Sequence, residues 1–167
     1  FLSSPLNRRR WQNFRRNRRG FWSFVIFMIL FLGSLPAEFI ANDKPILVSH
    51  AGAWYFPVVK AYPETTFGGD FETEADYRDP FVSELIEKDG YILWPLIPFG
   101  YQTTVTDLPG AAPSPPTLHN WLGTDDQARD VVARVIYGFR ISVLFGLILT
   151  VFSTIIGVIA GAIQGYF

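Results

Sequence analysis

Ile141–Phe167, ISVLFGLILTVFSTIIGVIAGAIQGYF, is 27 consecutive residues without a formal charge. Such a run exceeds the roughly 20 apolar residues a helix needs to cross a hydrocarbon core about 30 Å thick. Lipid offers backbone groups no hydrogen bonds, so one segment can span it only as a helix. The run commits the chain to a membrane and to an α-helical membrane class. Phe21–Ala37 is a second run, 17 residues without charge. Extending it to Ala41 admits only Glu38, which the headgroup layer can hold. Pro36 falls near that end, where a break is tolerated. The expected architecture is two transmembrane helices, 21–41 and 141–167, flanking a mixed extracytoplasmic segment and an amphipathic interfacial helix.

Charge sets the orientation. The formal net charge of −1 hides a strong segregation. Arg8, Arg9, Arg10, Arg15, Arg16, Arg18 and Arg19 precede the first apolar run with no acid among them. Residues Asn42–Asp130 carry 14 acids and 5 bases. By the positive-inside rule, tail 1–20 is cytoplasmic, residues 42–140 lie outside, and the second span returns inward. Arg134 and Arg140 fall on the outer side, where Arg140 can snorkel to the interface. A cleavable or twin-arginine export signal fits less well, because the apolar part is longer than a signal core. Nucleic-acid binding by the arginines is set aside, because a span comes immediately after them.

The outer segment has the composition of folded protein. Asn42–Leu108 holds twelve aromatic residues, and disordered chains are poor in these. Pro45–His50, Trp54–Tyr62 and Tyr91–Leu96 are expected as short extended pieces, with Pro57 and Pro95 confining them to edges or interrupting them. DPFVSELIEKDG predicts a helix with Asp79 as N-cap, Pro80 in the first turn and Gly90 at its end. The acid-rich stretch Phe71–Asp79 lacks the spacing of a calcium loop and reads as a solvated face. Pro109–Pro116 is an extended, proline-rich connector that spaces this subdomain, 42–118, from the polar stretch 119–140.

Residues 119–140 carry the most ordered polar pattern. Thr124 with Gln127 has capping-box spacing, and Asp125 and Asp126 suit a helix N-terminus. A helix is expected from Asp125 to about Tyr137. Val131, Val132, Val135 and Ile136 would form its apolar stripe, continuing toward Phe139. Asp130 with Arg134 and Asp126 with Arg129 would pair along it. Gly138 would close it in a left-handed conformation.

These residues also carry a resemblance. LGTDDQARDVVARVIYGFRIS is similar to the LGTD-x-x-G-R-D-V-L-S-R-L-I-Y-G-A-R-x-S signature of binding-protein-dependent ABC importer permeases of the dipeptide/oligopeptide/nickel class. The matching positions are Leu122, Gly123, Thr124, Asp125, Arg129, Asp130, Arg134, Tyr137, Gly138 and Arg140, with Gln127 at the capping-box position. GVIAGAIQGYF also resembles the helix that comes after the signature in that family. The outer segment, with YFPVVKAYPETTFGGDFETEADYRDPF, resembles the long insert of Yej-type permeases, importers of oligopeptides and microcin C. Ala128 stands where the family usually has Gly. At a helix-interior position, alanine would favour the helix by about 1 kcal/mol over glycine.

Other chemistry finds little support. His50 and His119 lie in separate segments with no carboxylate at ligand spacing, there is no cysteine, and no phosphate-binding glycine loop occurs. No catalytic residue, cofactor or metal is assigned, and the chain is read as a transporter subunit rather than an enzyme. Gly157, Gly161 and Gly165 form a small-residue face suited to close helix packing.

The resemblance implies the N-terminal portion of a bacterial inner-membrane permease importing peptides by alternating access. It implies a second permease subunit, two ABC ATPases and a periplasmic peptide-binding protein as partners, besides membrane lipid. The alternative is a truncated permease relative serving as a two-span accessory subunit of a larger membrane complex. The stop at Phe167, before any ATPase-coupling loop, motivates it.

Overall fold

A computed structural model of the chain describes residues 5–108 and 110–166. Residues 1–4 of the basic tail, Pro109 of the connector and Phe167 of the second apolar run lie outside them. The chain divides into two compact units, 1–35 and 36–167.

The first unit is a helical pair. α1 (Pro5–Arg16) and α2 (Arg18–Ser34) meet at Asn17, whose side chain caps α2 by accepting from Gly20 N–H at 3.3 Å. Phe14 packs edge-on against Phe21 and Phe24, with ring centroids 5.9 and 5.7 Å away. At about 1.5 Å per residue, the 17 residues of α2 rise about 26 Å. The apolar run expected as one helix over 21–41 is interrupted. Pro36 has no N–H to extend the ladder, so α2 stops at Ser34, and α3 (Ala37–Ile40) is a separate short turn of helix.

The second unit begins with α3 and contains a three-stranded antiparallel sheet in the order β2-β1-β3. β1 (Leu47–His50), β2 (Ala53–Tyr55) and β3 (Tyr91–Leu93) occupy parts of the three stretches expected to be extended. Pro57 and Pro95 lie just beyond the strand ends, so no ladder hydrogen bond is lost to them. Val48 stands opposite both Tyr55 and Ile92, and these three side chains face a core with Phe67, Ala75, Tyr77, Val82 and Ile86. Phe67 is its hub, edge-on to Tyr55 at 5.3 Å and Tyr77 at 5.6 Å. α4 (Pro80–Asp89) starts where expected: Asp79 accepts from Phe81 N–H at 2.9 Å, and Pro80 occupies the first turn. Val82 and Ile86, one turn apart, bury the helix against the sheet. Gly90 ends α4 for a reason the sequence did not suggest. Its backbone is extended, and a Cβ there would lie 1.7 Å from the Ser49 carbonyl oxygen.

α5 (Val131–Tyr166) is 36 residues long and is, among the described residues, the one helix long and apolar enough to cross a membrane. It overturns two expectations. It begins at Val131 rather than Asp125, and it passes through Gly138 without a break. Its buried face is Ala133 and Tyr137 with Val132 and Ile136 beside them, while Val135 points outward at 56 % exposure. Ala133 and Tyr137 pack with Ala37, Ala41, Ile97, Phe99 and Val105 into a second core. The three alanines are fully buried, and their small size lets α3 and α5 approach closely.

Candidate functional site: a bracketed loop at the head of the long helix

Residues 117–130 form a tight loop, and the helix expected from Asp125 begins only after it, at Val131. The expected cap, Thr124, does not cap α5: its hydroxyl accepts from Ser114 N–H at 3.0 Å, and its own N–H donates to the Ser114 carbonyl at 3.1 Å. Asp130, expected only as an ion-pair partner, caps the helix instead: one carboxylate oxygen accepts from Ala133 N–H at 2.8 Å, the other from the Asn120 side-chain amide at 2.9 Å. Asp130 is 1 % exposed and Asn120 4 %. A carboxylate this buried is tolerable because both its oxygens are bonded. The proline-rich connector is therefore no spacer, since Ser114 is stitched to the motif. Gly123 lies against it at φ 74°, and a Cβ there would lie 2.3 Å from the Ser114 carbonyl oxygen.

Asp125 is the bracket of the loop. One oxygen accepts from the backbone N–H groups of Gln127 and Arg129 at 2.9 and 2.8 Å. The other accepts from Arg129 Nε at 2.9 Å, and its ion pair with the Arg129 guanidinium closes at 2.8 Å. Arg134, one turn into α5, pairs with the same oxygen. Burial pushes the Asp125 carboxyl upward, but the Arg129 amide and guanidinium and the Gln127 amide together hold it well below the usual carboxylate range. The expected pairs Asp130–Arg134 and Asp126–Arg129 are not formed, because Asp130 is occupied as a cap and both arginines turn to Asp125. Gln127 contributes its backbone only.

Ala128 sits at φ 58°, in the left-handed region. The expectation that alanine here favours a helix is thus reversed, since the position is a turn that glycine enters without a steric penalty. The Ala128 carbonyl accepts from Val105 N–H at 2.8 Å, which moors the loop to the subdomain.

Farther along α5, Tyr137 donates from its hydroxyl to the Ala41 carbonyl at 3.0 Å, and its ring lies 4.8 Å from that of Tyr101. Arg140 grips both oxygens of Glu38, at 2.9 and 2.8 Å, across 102 residues of sequence. Tyr137 and Arg140 thus clamp α3 to α5. Glu38 and Asn120 are the residues that sequence reasoning left without a role. The available signal was pairing by scarcity: Glu38 is the single carboxylate in one apolar run, and Arg140 is the charge that opens the other.

The remaining expected residues lie apart from this loop. Gly138 is interior to α5. Gly157, Gly161 and Gly165 lie on its bare length, each with nothing within 4 Å of a Cβ built there. Arg8, Arg9, Arg10, Arg15 and Arg16 are on α1, and Arg18 and Arg19 open α2. Leu118, Trp121 and Leu122 leave an apolar rim beside the bracket, 92, 50 and 57 % exposed.

This arrangement is a densely hydrogen-bonded junction, and comparison with known proteins gives it a context. The chain is 52 % identical to the inner membrane ABC transporter permease protein YejE of Escherichia coli K12, over 98 % of this chain and 48 % of that protein. It is 52 % identical to the peptidoglycan transport system permease protein YejE of Agrobacterium fabrum, over 98 % of this chain and 49 % of that protein. The oligopeptide transport system permease protein OppC of Mycobacterium tuberculosis H37Rv is 38 % identical over 50 % of this chain and 28 % of its own length. All three are permeases by name, and this chain is similar to that family over nearly its whole length. Within it the similarity to Yej-type permeases runs nearly end to end, whereas that to OppC stops at half the chain. The chain spans about half the length of the Yej-type relatives it matches. No protein-family model matches it, and no solved structure does.

Proposed function

We propose that the chain is the N-terminal portion of an inner-membrane permease subunit that imports peptides by alternating access. The observation that carries this is the 52 % identity to Yej-type permeases over 98 % of the chain. In this reading residues 1–20 are cytoplasmic, 21–41 and 141–167 cross the membrane, and 42–140 face the periplasm. The length and bare apolar surface of α5 support its role as a span. α2 would cross as a short helix, with α3 and Glu38 in the outer headgroup layer. The partners would be a second permease, two ABC ATPases and a periplasmic peptide-binding protein.

The bracketed loop then sits at the outer end of the second span. It ties the periplasmic subdomain to that helix through Asp125, Arg129 and Arg134, so a load on one element is passed to the other. We assign it the outer gate, with the rim of Leu118, Trp121 and Leu122 toward the docking partner. The test is uptake of a labelled peptide by cells carrying the full-length permease with Arg134→Glu. That change sets a carboxylate against Asp125 while leaving the Arg129 contacts in place. Uptake is expected to fall about ten-fold, the equivalent of about 1.4 kcal/mol, with the subunit still present in the membrane. Unchanged uptake in Arg134→Glu and in Asp125→Asn would remove the gate assignment.

A further inference from the structure

α1 is used by none of the function above beyond fixing orientation, yet it is an ordered helix with two distinct faces. At 100° per residue, Arg8, Arg9, Gln12, Arg15 and Arg16 share one side. Asn7, Trp11 and Phe14 lie on the other, with Arg10 at its edge, and the Trp11 and Phe14 rings meet at 5.8 Å. All seven arginines of the tail are exposed, and among the described residues none of them is in an ion pair. The apolar face is continuous with α2 through Phe14, Phe21 and Phe24. The charge at the start of α2 is also of the wrong sign. Arg18 and Arg19 occupy its first turn with no acid there, where the helix dipole favours an anion.

We infer that α1 is a membrane-surface helix whose arginine face binds the phosphate groups of anionic phospholipids. Guanidinium groups pair with phosphate oxygens in a fork geometry, and phosphates beside Arg18 and Arg19 would supply the charge that the α2 N-terminus lacks. Trp11 and Phe14 are the residue types that settle at headgroup depth. A nucleic acid would meet the same arginines but would leave that aromatic face uncovered. The inference rests on α2 crossing the membrane.

The chain has no cysteine, so single labels can be placed without background. Nitroxides at Asn7→Cys, Gln12→Cys and Leu30→Cys of the full chain would be compared in two kinds of vesicle. One is phosphatidylcholine alone, the other an equimolar mixture of phosphatidylcholine and phosphatidylglycerol. In the mixture the residue 7 label should become immobile and accessible to oxygen, with the residue 12 label accessible to a water-soluble relaxant. In phosphatidylcholine alone both should stay mobile and wet. Each arginine near an anionic surface is worth about five-fold in binding. Changing Arg8, Arg9, Arg15 and Arg16 to Gln should therefore shift the bound-to-free ratio by roughly two to three orders of magnitude, and changing them to Lys should keep most of it. Identical labels in the two vesicle types, or immobilisation of the residue 12 label only on adding an oligonucleotide, would overturn the inference. A residue 30 label inaccessible to oxygen in both bilayers would show instead that α2 is not a span, and the inference would fall with that reading.

Discussion

Asp125 and Ala128 show how tightly this loop is constrained at the residue level. Asp125 gathers two backbone amides and two guanidinium groups because its loop turns back within four residues, and that turn needs a left-handed residue at position 128. Alanine carries a steric cost of about 1–2 kcal/mol in that conformation. Ala128→Gly should therefore stabilise the chain, by about 0.5–1 kcal/mol after the greater freedom of glycine in the unfolded state is deducted. Equilibrium unfolding in detergent, monitored by tryptophan fluorescence, measures it. A loss of about 1 kcal/mol would be the signature of a helix interior and would contradict the loop.

Among the elements, the decisive contact is α3 against α5. Three buried alanines bring the helices together, and the Glu38–Arg140 fork and the Tyr137–Ala41 hydrogen bond fix their register. The fork is half open to solvent, with Arg140 19 % and Glu38 42 % exposed, so its contribution is about 0.5–1 kcal/mol. Glu38→Gln keeps the shape and removes the charge. Amide exchange at Ala41 and Asn42, whose N–H groups bond to Ala37 and Ile97, should quicken roughly two- to five-fold, while exchange in β1 stays unchanged. Equal acceleration at both places would mean that the fork supports the whole fold rather than this contact.

Across the molecule, the second unit joins a small aromatic-rich core to a helix that leaves it bare. α5 would measure about 54 Å, more than a bilayer core requires. Its upper turns are packed and capped, and its lower apolar length is exposed. Thr150 and Thr154 donate to the carbonyls of Gly146 and Thr150, each at 2.7 Å, so their hydroxyls ask nothing of lipid. The glycines at 157, 161 and 165 then offer the closest approach to a second helix. Under the proposed function, Gly161→Leu is expected to reduce co-purification of a second permease subunit with the full-length protein several-fold. It should leave the part before α5 folded, because a Cβ at 161 meets nothing within 4 Å. Undiminished assembly would mean that the glycines face lipid.

The sequence by itself determined what depends on neighbours in the chain. The length of the apolar run required a long helix, Asp79-Pro80 started α4, and the extended stretches around β1, β2 and β3 were legible from their composition. The same local logic failed at the motif, where Thr124 with Gln127 had the spacing of a cap and Asp130 read as an ion-pair partner of Arg134. Only tertiary structure could reverse those roles. Ser114 takes the Thr124 hydroxyl, and Asn120 supplies the partner that lets Asp130 be buried, both from ten residues away. The clamp of Glu38 on Arg140 was hidden for the same reason. An ion pair closed across 102 residues leaves no local pattern, and it exists only because three alanines are small enough to bring its two helices together.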